Sequence, residues 1–357
     1  MTMIFDSARG YCFIVLALML SACLDKKLTK GEKIQSALDT TVNMPDSVVQ
    51  YLDNAVDTME TFSINKKKIN WKSFRAQVLK DSRGATTYSQ TYPAIQNALL
   101  SLGDQHSFFK TPEQHQLWKD AALRIPVKQK KERKRSLGMM RDENIAELDV
   151  ETFTSGDEKE MLNYAGRLQE SIKDLDKYHP KGWIVDLDYN RGGNMWPMLA
   201  GIGPLLGEGI SGYFVPTDGK RIAWKYQNGE VWSGNELMLK ISKPYQIKRN
   251  DSPVALFVTH RTASSGEAVV VAFIGRPNTR IYGDPTAGLS SANQGYTLVD
   301  GAQLILTSAV FADRNGRLYG SKIQPDVDLS KRWYYFSGFE HEIMLGEVEE
   351  WVLSLRK

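Results

Sequence analysis

Two adjacent serines sit where a strand should turn into a helix, in the run Thr262-Ala263-Ser264-Ser265-Gly266-Glu267. Before it lies Val254-Ala255-Leu256-Phe257-Val258, which reads as a buried strand. After it comes an apolar run from Ala268 to Ile274, which reads as a helix. A serine at such a junction has its hydroxyl exposed at a strand end, and the N–H groups of the new helix point toward it, which suits an oxyanion. This is the arrangement of a nucleophile elbow, although the G-x-S-x-G spelling is absent. Taken alone, a Ser-Ser-Gly turn is also an ordinary helix N-cap.

A serine hydroxyl is a weak nucleophile until a base takes its proton. The chain has 5 histidines. His115 and His179 fall on polar helix faces, His341 lies near a C-terminal helix, and His260 precedes the turn on its strand side. His106 stands apart in Leu102-Gly103-Asp104-Gln105-His106-Ser107-Phe108-Phe109, a Gly-Asp turn beside two phenylalanines, where a partly dry site can form. Gly192-Gly193 is a third chemical feature. It serves either as a tight turn that needs positive φ or as bare backbone N–H groups lining an oxyanion hole, with the N–H of Ser265 as a further donor.

The elements that must position these groups alternate. Val48, Tyr51, Leu52, Ala55, Val56 and Met59 recur at helical spacing; Trp71, Phe74 and Val78 continue in a second helix, and Ile95, Ala98, Leu99 and Leu102 mark a third. Ile145 to Phe153 reads as a strand and Lys159 to Tyr178 as an amphipathic helix. Trp183 to Leu187 is a strand running into Asn190-Arg191-Gly192-Gly193-Asn194 and a helix from about Met195 to Leu206. A β-rich insert, Tyr213 to Trp232, separates this strand–loop–helix unit from the one that turns at Ser264. Leu304 to Thr307 and Val310-Phe311 form a further strand, and a helix covers about Glu340 to Leu355. Helices alternating with apolar strands predict an α/β core.

Residues 11 to 22 form one apolar run, too short to span a bilayer and of the length of a signal-peptide core. It ends in Leu20-Ser21-Ala22-Cys23, which resembles a bacterial lipoprotein box, so Cys23 is expected to carry lipid (palmitate among its acyl chains) and to become the first mature residue. Arg9 ahead of the run is offset by Asp6. Leu24 after the cysteine favours, by the sorting rule of enteric bacteria, a lipid anchor in the outer membrane facing the periplasm. Only 2 cysteines exist, Cys12 and Cys23, so the mature chain would hold no disulfide, no cysteine-ligated metal and no thiol nucleophile. With 357 residues, 42% of them hydrophobic, a core can hold it instead. The net charge of +3 is too small to imply nucleic acid, and the basic stretch from Lys128 to Arg135 lacks interleaved aromatics. The expected organisation is a signal peptide at 1–22, a tether at 23–46, a helical domain at 47–125, a basic loop at 126–144 and the α/β core at 145–357.

Taken in order, five runs resemble the C-terminal-processing (tail-specific) serine peptidase family. They are Asp186-Leu187-Asp188-Tyr189-Asn190-Arg191-Gly192-Gly193, the Ser264 turn, Gly283-Asp284-Pro285-Thr286-Ala287-Gly288, Leu298 to Thr307, and Ile323-Gln324-Pro325-Asp326. The resemblance implies a crotonase-like β/α core preceded by helices. It implies Ser264 as nucleophile, an oxyanion hole from Gly192, Gly193 and Ser265, and no metal or organic cofactor. Leu289 stands where the lysine-using branch carries its base, and residues 110 to 145 are too few and too charged for that branch's PDZ module. The chain is similar instead to the histidine-using branch of the tricorn core protease and the interphotoreceptor retinoid-binding protein repeats, whose base maps to His106. Asn293, Glu267 and Asp300 are the residues that could orient that base, and Asp188 replaces a usual arginine. The implied activity is a membrane-anchored serine endopeptidase acting on a peptide or protein. A histidine base gives kcat/KM a limb at an apparent pKa of about 6 to 7.5. The alternatives are a non-catalytic protein that binds a peptide or apolar ligand on the same fold, and a hydrolase of small esters or amides. Labelling by a fluorophosphonate separates a live serine from a mere binder.

Overall fold

The computed structural model describes residues 44–117, 137–330 and 340–355. The expected signal peptide, Cys23, nearly all of the tether and the basic residues 128–135 lie outside these. The chain opens with helices α1 (Asp46–Phe62), α2 (Trp71–Asp81) and α3 (Tyr92–Ser101). On α1 the apolar residues predicted from their spacing are all buried. The Asn70 side chain accepts the Ser73 N–H and so starts α2. This segment is not wholly helical. β1 (Phe108–Lys110) leaves it to join a sheet of the core.

Two sheets follow. The first contains β2 (Gly138–Met140), β3 (Ile145–Asp149), β4 (Gly182–Asp186), β9 (Val254–Val258), β10 (Thr279–Gly283) and β13 (Val327–Asp328). Its order is β13-β10-β9-β4-β3-β2, parallel except for the antiparallel edge strand β2. The second is antiparallel: β5 (Gly209–Pro216), β6 (Ile222–Gln227), β7 (Glu230–Ser233), β8 (Glu236–Lys240), β11 (Ser291–Thr297) and β12 (Gln303–Asp313), with β1 on its edge. The β-rich insert is thus the body of this sheet, because β5 pairs with β12 along Gly212–Pro216. Leu304 to Thr307 and Val310-Phe311 are one strand, and the strand expected to reach Phe153 stops at Asp149. The expected basic loop at 126–144 also yields its last residues to β2 and a 3-10 turn at Asp142–Asn144.

Helices α4 (Glu158–Asp176), α5 (Met195–Leu206) and α6 (Ser265–Phe273) pack with the inward residues of both sheets in one core. Both faces of β4 and β9 are covered, which explains their unbroken apolar runs. Trp183, Val185, Val254, Leu256 and Val258 meet the helices of that core. Ile184, Ala255 and Phe257 meet Met344, Leu345, Val348 and Val352 of α7 (Glu340–Ser354). α6 is buried along its whole length and α5 everywhere but Trp196, so neither shows a polar face. Pro204 within α5 cannot donate to the Ala200 carbonyl, and Gln169 Nε2 donates to it instead at 2.8 Å. Among the described residues no helix is long and apolar enough to cross a membrane.

Candidate active site

Ser264 ends the loop that follows β9, immediately before α6. Its backbone sits at φ 53° and ψ −115°, a region costly for any residue with a side chain. The surroundings enforce it. Ala263 N–H donates to the Asn190 carbonyl at 2.9 Å, and Thr262 Oγ1 donates to the Leu187 carbonyl at 2.9 Å. Ser264 N–H donates to Glu267 Oε2 at 3.0 Å. The loop after β4 lies directly against the elbow, and Gly192 makes this possible. A Cβ on Gly192 would stand 2.8 Å from Ser264 Cβ and 2.9 Å from Ser265 N, and its φ is 97°.

One of the N–H groups expected to face an oxyanion is engaged within the loop. Gly192 N–H is already spent on Asn190 Oδ1 at 2.9 Å, so it is not available to a substrate. Gly193 and Ser265 both line the cavity beside Ser264, and their N–H groups donate to no other described residue. Ser265 Oγ donates to the Gly193 carbonyl at 2.7 Å, which ties the glycine loop to the start of α6. That cavity, about 490 Å³, is also walled by Met195, Trp196, Phe214 and Phe311.

His106 is half-buried in the turn after α3. Asp104 Oδ1 accepts the N–H groups of His106 and Ser107, at 3.0 and 2.6 Å, and the Thr307 hydroxyl at 2.8 Å. The turn is thereby stitched onto β12. Asn293 Nδ2 donates to the His106 main-chain carbonyl at 2.8 Å, so Asn293 holds the backbone and not the ring. The ring Nδ1 lies 2.9 Å from Ser291 Oγ. Burial pushes the imidazole down to about 4, against the opposing pull of Asp104, so the ring is neutral at pH 7.

Ser264 and His106 face adjoining cavities, and Ser291 is the residue that lines both. No hydrogen bond joins their side chains among the described residues. The other two residues proposed to orient the base lie elsewhere. The fully buried Glu267 accepts Thr286 Oγ1, Gly288 N–H, Leu289 N–H and Ser264 N–H, and burial raises its pKa against those donors. Asp300 accepts the hydroxyls of Tyr51 and Tyr92 at 3.0 and 2.7 Å. His260 is exposed, with Nδ1 3.5 Å from Asp284 Oδ2. Asp188 is bound by Arg261, whose Nη2 reaches both carboxylate oxygens at 2.6 Å. The cation next to the glycine loop therefore comes from the other strand end. Neither Ser291 nor Arg261 was found from sequence, since nothing in residue type or spacing distinguishes them. Glu147, Asp149 and Asp186 come close enough to share an ion. However, Glu147 pairs with Arg141 and Asp186 Oδ1 accepts the Asp188 N–H.

Residues 144–329 match the description of peptidase family S41. The chain belongs to this family. Over 285 residues it is 32% identical to the nisin-resistance protein of Lactococcus lactis subsp. lactis, covering 80% of this chain and 84% of that protein. It is 26% identical to the carboxy-terminal processing protease CtpA of Bacillus subtilis over 53% of this chain and 35% of the relative. A lipoprotein from Streptococcus agalactiae shares the fold, with a TM-score of 0.66 at 24% identity over 86% of this chain and 96% of its own. The S41 protein is a serine peptidase, as the five ordered runs implied.

Proposed function

We propose that this S41 peptidase cleaves peptides by a Ser264–His106 mechanism at the cell envelope. Ser264 Oγ attacks the scissile carbonyl and His106 takes its proton. The oxyanion forms against the N–H groups of Gly193 and Ser265, and His106 then protonates the leaving amine. The observation that carries this reading is the strained Ser264 backbone, held where a helix begins and beside a glycine loop with an unspent N–H. The ring of His106 must approach Ser264 when substrate bridges the two cavities, a tightening common in Michaelis complexes. The Met195, Trp196, Phe214 and Phe311 walls suit an apolar side chain next to the scissile bond. The relative named for nisin resistance favours an antimicrobial peptide of the nisin kind as substrate.

The test is fluorophosphonate labelling together with digestion of nisin followed by mass spectrometry. Wild type should label and cleave, Ser264→Ala should do neither, and Ser265→Ala should keep some labelling. A labelled Ser264→Ala protein would sink the assignment. The lipoprotein-like Cys23 and the streptococcal lipoprotein of the same fold support a lipid anchor at Cys23. Cys23→Ala should move the protein out of the membrane fraction and abolish labelling by a fatty-acid probe. Unchanged fractionation would exclude the anchor.

A further inference from the structure

We infer that Ser291 is the positioning residue of His106: its hydroxyl oxygen accepts the Nδ1 proton and fixes the tautomer that leaves Nε2 free as base. The inference rests on the reading of Ser264 and His106 as nucleophile and base. Oγ of Ser291 stands 2.9 Å from Nδ1, and the side chain is buried at 6% exposure. Among the described residues no carboxylate hydrogen-bonds the ring. Asp104, whose charge acts on the ring, is occupied by the backbone of His106 and Ser107 and by the hydroxyls of Ser107 and Thr307. Asn293, Glu267 and Asp300 are engaged as described above.

Ser291 is also indexed to the nucleophile. Ser264 N–H and Leu289 N–H both donate to Glu267 Oε2, at 3.0 and 2.7 Å, and Ser291 N–H donates to the Leu289 carbonyl at 2.7 Å. A short chain of bonds thus runs from the elbow to the hydroxyl that meets the base. Ser291 and Asn293, two residues apart on β11, meet the ring and the main-chain carbonyl of the same histidine. A neutral acceptor fixes orientation and tautomer as a carboxylate would, but adds no negative charge beside the imidazolium.

The measurement is the second-order rate of fluorophosphonate labelling against pH. The proteins are wild type, Ser291→Ala, Ser291→Thr, His106→Gln and the double variant. Ser291→Ala should slow labelling by about 10- to 100-fold, below the full range of general base catalysis. Ser291→Thr, which keeps the hydroxyl, should recover most of it. In the His106→Gln background Ser291→Ala should add less than about a twofold change, since a residue acting through His106 has nothing left to act on. The acid limb should move to lower pH in Ser291→Ala, because the imidazolium loses an acceptor. The charged or titratable groups around the ring, Asp104 in its own turn and Lys68, Tyr319 and Lys322 across the cavity, are unchanged in these variants. Nitrogen-15 spectra should show the Nδ1–H tautomer in wild type and Ser291→Thr and lose it in Ser291→Ala. Equal slowing in both His106 backgrounds would overturn the inference, as would normal Ser291→Ala labelling with a dead His106→Gln; the latter leaves the Ser–His reading standing. A normal rate in His106→Gln would overturn that reading itself.

Discussion

Ser264 keeps a backbone conformation that only glycine adopts without strain, so the proposed nucleophile is also a residue that destabilises. Two substitutions separate these properties. Ser264→Ala and Ser264→Gly should both be inactive, but the glycine variant should be the more stable by about 1–2 kcal/mol, the usual scale of such strain. Urea denaturation of the pair reads the difference, and equal midpoints would mean that the turn is not strained. His106 carries the second residue-scale expectation. From its type alone a limb between about pH 6 and 7.5 is expected. Burial lowers the imidazole to about 4. The structure therefore predicts kcat/KM nearly flat from pH 6 to 8 and falling only as pH approaches 4. The same shift acts on stability. The folded state binds the proton less readily than the unfolded chain, so this contribution is present above the ordinary histidine pKa and is lost as pH falls through the folded value. A pH–rate profile on a peptide substrate decides the matter: a midpoint near 6.5 would return the ring to a solvated environment.

At the scale of elements, Glu267 joins two segments that lie apart in the chain order. Its carboxylate gathers donors from the elbow and from residues 286–289, and so sets the start of α6 against the segment leading into β11. A carboxylate is acceptor-only and matches four donors; a carboxamide is not. Glu267→Gln would turn an NH₂ toward an N–H or hydroxyl, leaving buried donors unmatched at about 1–3 kcal/mol. Activity should fall by more than stability implies, because the same bonds place Ser264 and Ser291. Thermal melting beside labelling kinetics tests this, and a Gln variant with native melting and rate would show that the carboxylate only fills space.

The proposed nucleophile and base belong to different parts of the molecule. Ser264 stands on the core of two sheets, while His106 follows the helical segment, whose α1 and α3 share a separate core with Leu298, Ala302, Leu304 and Leu306. Tyr51 and Tyr92 donate to Asp300 in the turn between β11 and β12, Phe62 stacks on Tyr296 at 4.4 Å, and Ile64 N–H donates to the Thr307 carbonyl. The helices are therefore a clamp on the hairpin that carries Ser291 and Asn293. Asp300→Ala removes the shared acceptor of two part-buried hydroxyls and should cost about 1–3 kcal/mol. It should also slow labelling at Ser264, although Asp300 touches neither Ser264 nor His106. Slower labelling with unchanged stability would contradict the clamp, since no loosening would then be available to explain it.

The order of elements, the strand-to-helix junction at Ser264 and the family were legible in the sequence. Each rests on local information: apolar period, runs of small residues and a fixed succession of motifs. α5 begins at Met195 and ends at Leu206 as the pattern predicts, because an Asn cap and a following glycine mark its ends. What the tertiary structure alone decided concerns groups far apart along the chain. Ser291 meets His106 across 185 residues, and Arg261 meets Asp188 across 73. Asn190 takes the N–H of Gly192 away from the site, a choice made by a side chain two residues off whose direction depends on the packed loop. The low pKa of His106 likewise depends on which surfaces close over the ring, and burial is a property of the folded chain that residue type and spacing do not carry.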